Sequence, residues 1–140
     1  MVQDLPRPGD LVALEADECI ELMEGAPWVR IGFIADGAPH VLPVNHLFYD
    51  DAIYFRTAPG SKLGTAAAGG QVAVEADGGD EAVRVGWSVL AHGRITIVTD
   101  AALEERLFAQ SFEPWALPDD RNFWVRIEVA SITGRRIVRA

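Results

Sequence analysis

The run PVNHLFYDDAIYFRTAPGSKL, from Pro43 to Leu63, constrains the chain more than any other. Two segments rich in β-branched and aromatic residues flank Asp50-Asp51, and the second breaks on Pro59-Gly60. An acidic pair between such segments suits a tight turn, so the flanks pair as antiparallel strands. Along Ala52 to Thr57, Ile53, Phe55 and Thr57 share one face while Tyr54 and Arg56 take the other. Ser61 then caps a short helix over 62–68, which stops at Gly69-Gly70. The capping box is incomplete, because Gly64 stands where a glutamate would reach back.

The break gathers Arg56, Thr57, Ser61 and Lys62. Donors at a helix start, with its free backbone N–H groups, suit a bound anion and most often a phosphate. Arg56 offers a planar fork, Lys62 a point charge and Ser61 a hydroxyl. Gly60 removes a side chain where a ligand approaches the backbone. The order is not that of a P-loop, since Lys62 follows Ser61. From spacing alone the same residues also describe a solvated strand end with an ordinary cap.

The remaining chain reads as more short strands. Residues 1–13 form a loosely ordered lead-in with Pro6, Pro8 and Gly9. Residues 14–25 form a helix capped by Asp17 and stopped by Gly25, with Cys19, Ile20 and Met23 inward. Ala26 to Ala35 is a strand, and Asp36-Gly37 turns it into the run from His40 to Tyr49. Pro43 inside that run marks an edge or a bulge. Gln71 to Ala76 is a strand turned by Asp77-Gly78-Gly79-Asp80. Val83 to Thr99 is one bent strand or two, with Gly86 and Gly93 as bend points. Asp100 to Phe112 is a helix with Leu103, Leu107, Phe108 and Phe112 as its stripe. Phe123 to Ile132 closes the set, before Gly134 and a basic tail. Six or seven antiparallel strands at close spacing point to a barrel, which removes exposed edges.

At 140 residues the chain is most simply a single domain over 1–140, long enough for a core of its own. Net charge is −9, which argues against nucleic acid and against an anionic membrane surface. There is no apolar run of membrane-spanning length and no signal-type N-terminus. Cys19 is the only cysteine, so no disulfide or cysteine zinc cluster forms within the chain. It reads as a small buried hydrophobe, and a reducing cytoplasm is the expected setting. His40, His46 and His92 lie on strands without metal-ligand spacing, so no metal is expected. Paired carboxylates fall in turns or on a helix, and no Ser/His/Asp set is present, so the catalytic residues are unknown.

The Pro43–Leu63 run, with GWSVLAHGR at 86–94 and WVRIEVASITGRRI at 124–137, resembles the pyridoxamine 5'-phosphate oxidase-like superfamily. The likeness runs in order from about residue 15 to 138 and leans toward small actinobacterial and nitroimidazole reductase-like members. It implies a mainly β (α+β) fold, a six-stranded antiparallel split β-barrel with a few short helices. It implies a homodimer with two FMN sites at the subunit interface. Carried over, Arg56, Thr57, Ser61 and Lys62 would hold the cofactor phosphate. Pro43, Val44, Asn45 and His46 would lie along the ring, with the Asn45 amide on its polar edge. Trp87 and Ser88 would add cofactor or interface contacts, although Trp87 equally suits a core. Trp115 and Arg121 would reach over a partner's site or pack on the barrel. The arginine, histidine and tyrosine set that grips pyridoxal phosphate is missing, so oxidation of vitamin B6 is not expected.

The implied function is an FMN-dependent oxidoreductase acting on a small molecule, in which the flavin carries the redox chemistry. The alternatives are a deazaflavin-dependent reductase of quinone-like or nitro compounds and a non-catalytic flavin or haem protein. A deazaflavin's polyanionic tail would need Arg30, Arg84 and Arg94 along its groove. For haem, His46 has the best location for an axial ligand.

Overall fold

The computed structural model describes residues 5–67, 69–116 and 122–139. Eight strands and three helices follow in chain order. They are β1 (Leu11–Ala13), α1 (Ala16–Gly25), β2 (Val29–Ala35), β3 (Ala38–Val44), β4 (Leu47–Tyr49), β5 (Ala52–Thr57), α2 (Lys62–Ala66), β6 (Gln71–Asp80), β7 (Val85–Ile97), α3 (Ala101–Phe108) and β8 (Phe123–Ile137). Every pairing is antiparallel, in the order β3-β2-β6-β7-β8-β5-β4, with β1 added to β8. The sheet does not close, because β3 and β4 end the order without pairing to each other. This is a split barrel of six longer strands, and β1 and β4 supply three residues each.

Alternation builds the interior. Val29, Ile31 and Phe33 of β2, Ile53 and Phe55 of β5, and Val72, Val74 and Ala76 of β6 all point inward. Val89, Ala91 and Ile95 of β7 meet Val125 and Ile127 of β8 there. Cys19 and Met23 of α1 and Leu63 of α2 cover this core. Burial pushes the Cys19 thiol up, which makes it inert packing rather than a nucleophile. A second, smaller core lies on the other face of β5. Ala52, Tyr54, Val98, Leu107 and Trp124 form it beneath α3.

Two hairpin turns match the sequence reading closely. Asp36 and Gly37 have φ of 53° and 73°, and Asp50 and Asp51 have φ of 47° and 63°. Paired positive φ values give the primed turn whose twist suits a hairpin, and aspartate tolerates that region better than most residues. Pro43 falls on β3, which is the edge of the sheet, where a missing N–H costs no ladder bond.

Elsewhere the structure corrects the sequence reading. Residues 11–13 of the lead-in form β1, which pairs with residues 135–137 of β8. The supposed basic tail is therefore strand. Gly134 allows it, since a Cβ there would lie 2.7 Å from the Cys19 sulfur. The residue at the N-cap of α1 is Glu15 without a side-chain cap bond, and Asp17 lies inside the first turn. β6 runs straight through Gly78 and Gly79 to Asp80, and the turn falls on residues 81–84. The glycines read as a turn, but a Cβ on Gly78 would meet the Trp87 indole at 2.8 Å and one on Gly79 the Val85 carbonyl at 2.6 Å. They are small because β7 crosses closely. The run from His40 to Tyr49 divides into β3 and β4. Residues 85–97 are one strand, and its register on β8 shifts between His92 and Gly93. Both helices predicted over 62–68 and 100–112 are shorter, ending at Ala66 and Phe108.

Candidate functional site

The foot of α2 is a small closed network. The Ser61 hydroxyl donates to the Ala58 carbonyl at 2.9 Å and accepts from the Gly64 N–H at 2.9 Å. The Thr57 hydroxyl lies 3.1 Å from it. The capping role expected of Ser61 is thus met. Gly64 is fitted to the close approach of α2, since a Cβ there would stand 2.7 Å from the Ala58 carbonyl. Gly60 turns the chain at φ 78° with open space around it. Lys62 is exposed at the first position of α2.

Arg56 stands apart from this network. Alternation puts it with Tyr54, toward the smaller core, while Thr57 follows Ile53 and Phe55 inward. Its guanidinium lies 5.2 Å from the Phe108 ring centroid and 5.8 Å from that of Trp124. Its Nε–H donates to the Asn122 side-chain oxygen at 2.7 Å. Cation–π contact of this kind is worth about 0.5–2 kcal/mol and helps to hold the arginine in place. Asn122, Phe108 and Trp124 were not visible as its partners from the sequence, because α3 and β8 come from far along the chain.

Pro43 and Val44 end β3 against β2, and Asn45 and His46 link them to β4, whose Leu47 pairs with Tyr54 of β5. The Asn45 amide is engaged at both ends. Its Nδ2–H donates to the Pro27 carbonyl at 3.0 Å, and its Oδ1 accepts from the Trp115 N–H at 2.8 Å. It therefore ties two loops together, and only one amide hydrogen is left for a ring edge. Val44 is half-buried opposite Val29, and Pro43 is exposed opposite Arg30. His46 is buried, with Nε2 2.7 Å from the Met23 carbonyl. That contact makes Nε2 the donor and leaves Nδ1 as a bare acceptor, buried without a partner. Burial first of all pushes the His46 pKa down, so the ring is neutral at ordinary pH.

Trp87 and Ser88 lie elsewhere. Thr57 pairs with Phe123, whereas Trp87 pairs with Arg136, thirteen residues further along β8. That is on the order of 40 Å along an extended strand. Thr57 and Trp87 thus pair toward opposite ends of β8. Trp87 packs over Gly78 and against the main core, beside Val85 and Ile137. Ser88 lines a groove of about 740 Å³ on the outer face with Glu75, Asp77, Thr133 and Arg135. Beside these two carboxylates, Arg30 Nη1 lies 2.6 Å from Asp77 and 3.7 Å from Glu75. Burial, followed by the neighbouring Asp77 carboxylate, raises the Glu75 pKa to about 7. A further groove of about 540 Å³ is lined by Ile34, Val41, Ala73, His92, Arg94 and Ala130. Among the described residues no three metal-ligating side chains come together. Arg121 lies outside the described residues.

The residues the sequence reading missed are Trp28 and Trp115 as a pair. Their ring centroids are 5.4 Å apart at an interplanar angle of 65°, beside Asn45.

This order of strands, with a strand-to-helix turn after β5, has close counterparts. The family model for pyridoxamine 5'-phosphate oxidase matches residues 15–136. The chain belongs to the pyridoxamine 5'-phosphate oxidase family. Among proteins similar to it is the uncharacterized protein Rv0080 of Mycobacterium tuberculosis, 34% identical over 134 residues, covering 92% of this chain and 87% of that one. Among solved structures it is similar to an FAD-binding protein from Mycobacterium smegmatis at 35% identity and a TM-score of 0.78, covering 91% of this chain and all of the other. It also shares its fold with an FAD- and haem-binding protein from the same organism at 14% identity and a TM-score of 0.70, covering 88% of this chain and 71% of the other. No helix among the described residues is long and apolar enough to cross a membrane.

Proposed function

We propose that this member of the pyridoxamine 5'-phosphate oxidase family is a flavin-dependent oxidoreductase that holds FMN by its phosphate at the β5–α2 turn. The observation that carries this reading is the turn itself. Thr57 and Ser61 set two hydroxyls 3.1 Å apart at the foot of a helix, with Gly60 open and Lys62 exposed at the first helical position. With the Ser61 hydroxyl committed to Ala58, the donors that suit a phosphate are Lys62 and the first backbone N–H groups of α2. The flavin, when bound, supplies the centre that accepts or donates hydride. The chain's part is to anchor the phosphate, place the ring along Pro43–His46 and admit a small-molecule substrate. Arg56 contributes by bracing β5 against Trp124 and by raising the local positive potential.

The site is completed by a second copy of the chain. Trp87 and Ser88 pair toward the far end of β8 from the turn, and a homodimer can carry them to the partner's turn. Ile34 and Val41, 63% and 66% exposed on the outer face, offer such a dimer an apolar surface. FAD is a second reading, favoured by the 35% identical protein described as FAD-binding. Deazaflavin has less support, because Arg30 is taken by Asp77 and Arg94 by the Gly69 carbonyl. Haem has less as well, since one nitrogen of His46 serves the Met23 carbonyl and the other is buried. The protein is expected to act in the cytoplasm.

Calorimetric titration with FMN and with riboflavin, which lacks the phosphate, tests the turn. FMN should bind at least tenfold tighter, and Lys62→Ala should weaken FMN by about tenfold, the scale of a charge-assisted hydrogen bond, without touching riboflavin. Equal affinity for the two flavins would remove the phosphate assignment.

A further inference from the structure

We propose that Trp28 and Trp115 form an aromatic corner that binds the planar ring of an uncharged aromatic substrate, with Asn45 as the positioning residue. The role of that ring as substrate rests on the flavin reading above. The corner itself rests on the geometry of three residues.

Trp28 stands just before β2 and Trp115 in the loop after α3. Both indoles are open, Trp28 at 38% and Trp115 at 72% exposure. A tryptophan needed only for packing would bury much of its large surface. Here the backbone is fixed and the ring is left out. One amide does the fixing on both sides. Asn45 donates to the carbonyl of Pro27, the residue before Trp28, and accepts from the backbone N–H of Trp115. The Asn45 amide therefore holds the two backbones together, with the indoles 5.4 Å apart at 65°.

That angle selects a ligand class. A flat ring laid on the face of one indole meets the edge of the other, which are the two favoured contacts between aromatic rings. A saturated ring gains neither contact. Neither indole carries a charge, so the corner holds a ligand by its ring face and not by an ion pair. To the polar edge of a ring it offers one free Asn45 amide hydrogen, because the Asn45 oxygen is already taken. The ring that fits is one with a sparse polar edge, and such a ring is the substrate's rather than the cofactor's.

The test uses 1-naphthol, an uncharged planar probe, with cyclohexanol as the saturated control. Equilibrium dialysis is run on the full chain with and without FMN. The wild type should take up 1-naphthol and not cyclohexanol. Trp115→Ala should weaken 1-naphthol by about tenfold and Trp115→Phe by less than about threefold, the range of one aromatic stacking contact. Asn45→Ala should weaken it too and should reduce the near-ultraviolet circular dichroism of the indole pair, a signal that loss of stability alone leaves intact below the unfolding transition. Equal uptake of both probes, or no effect of Trp115→Ala, overturns the corner. A Trp115→Ala protein that loses FMN but keeps 1-naphthol also overturns it, by giving the corner to the cofactor. One that sediments differently and binds 1-naphthol as before overturns it as well, by making the corner an interface. Failure of FMN to bind, with Trp115-dependent 1-naphthol uptake intact, removes the flavin reading and leaves the corner standing.

Discussion

The turn after β5 and the outer face of β2 and β6 both gather polar side chains, and they close their interactions differently. At the turn, Ser61 makes a bond in each direction, Thr57 sits against it, and Arg56 is stacked and hydrogen-bonded. Among the described residues of the turn, Lys62 is the cation left facing water, which is what a phosphate anchor needs. On the outer face, one guanidinium from Arg30 serves two carboxylates, and Glu75 Oε1 is buried with no partner. The first cluster is self-sufficient and presents a single cation. The second holds a charge that folding disfavours and that only the strand pairing keeps in place.

The comparison breaks first if Trp124 does not support the turn. Trp124 is buried, forms the floor of the smaller core and carries Arg56 on its ring. Phe108 and Phe112 lie 5.7 and 5.6 Å from its ring centre. Trp124→Ala should cost about 3–5 kcal/mol in denaturant unfolding, the range for large aromatic deletions in a core. Its indole N–H is buried without a partner, so Trp124→Phe loses volume but also removes an unsatisfied donor. That variant should cost less than half as much. If the two variants unfolded at the same denaturant concentration, the turn would not depend on this floor.

The contrast also sets how much of the molecule could be read from the chain. Alternation in Val29–Phe33 and Ile53–Thr57, with Asp36-Gly37 and Asp50-Asp51, was enough for the hairpins and for the split barrel, because those signals are local. The donors at the turn were visible for the same reason. Alternation even put Arg56 opposite Thr57, but not against Phe108 and Trp124, which arrive through a distant loop. β1 and the end of β8 were hidden because each reads as a polar tail until it pairs with the other. Gly78-Gly79 read as a turn, since sequence does not show the Trp87 ring that makes a side chain impossible there. Trp28, Asn45 and Trp115 form one unit only in three dimensions.

A smaller effect sharpens the turn side of the comparison. Ser61→Ala removes the cap acceptor for Gly64 and the donor to Ala58 together. The expected cost is about 1–2 kcal/mol, the upper part of the range for a lost N-cap. Ser61→Thr keeps the hydroxyl and should recover most of it. A denaturant midpoint for Ser61→Ala equal to that of the wild type would mean that the network is incidental to the helix start.

The smallest effect belongs to the outer face and is read against pH. Glu75 has an ordinary pKa near 4.5 and is raised to about 7 in the folded chain, by burial and then by Asp77. The folded state thus holds a proton that the unfolded state has given up. Its contribution to stability is intact below about pH 4.5 and is lost as pH rises toward 7. Because about a third of the side chain is exposed, solvent screening reduces the penalty to roughly 1 kcal/mol. Glu75→Gln removes the titration while keeping the shape. The variant should match the wild type at pH 4.5 and exceed it by that amount at pH 8, with a flatter profile between. A wild type that gains stability relative to Glu75→Gln as pH rises would show that the carboxylate is well paired after all, and the two clusters would then be alike.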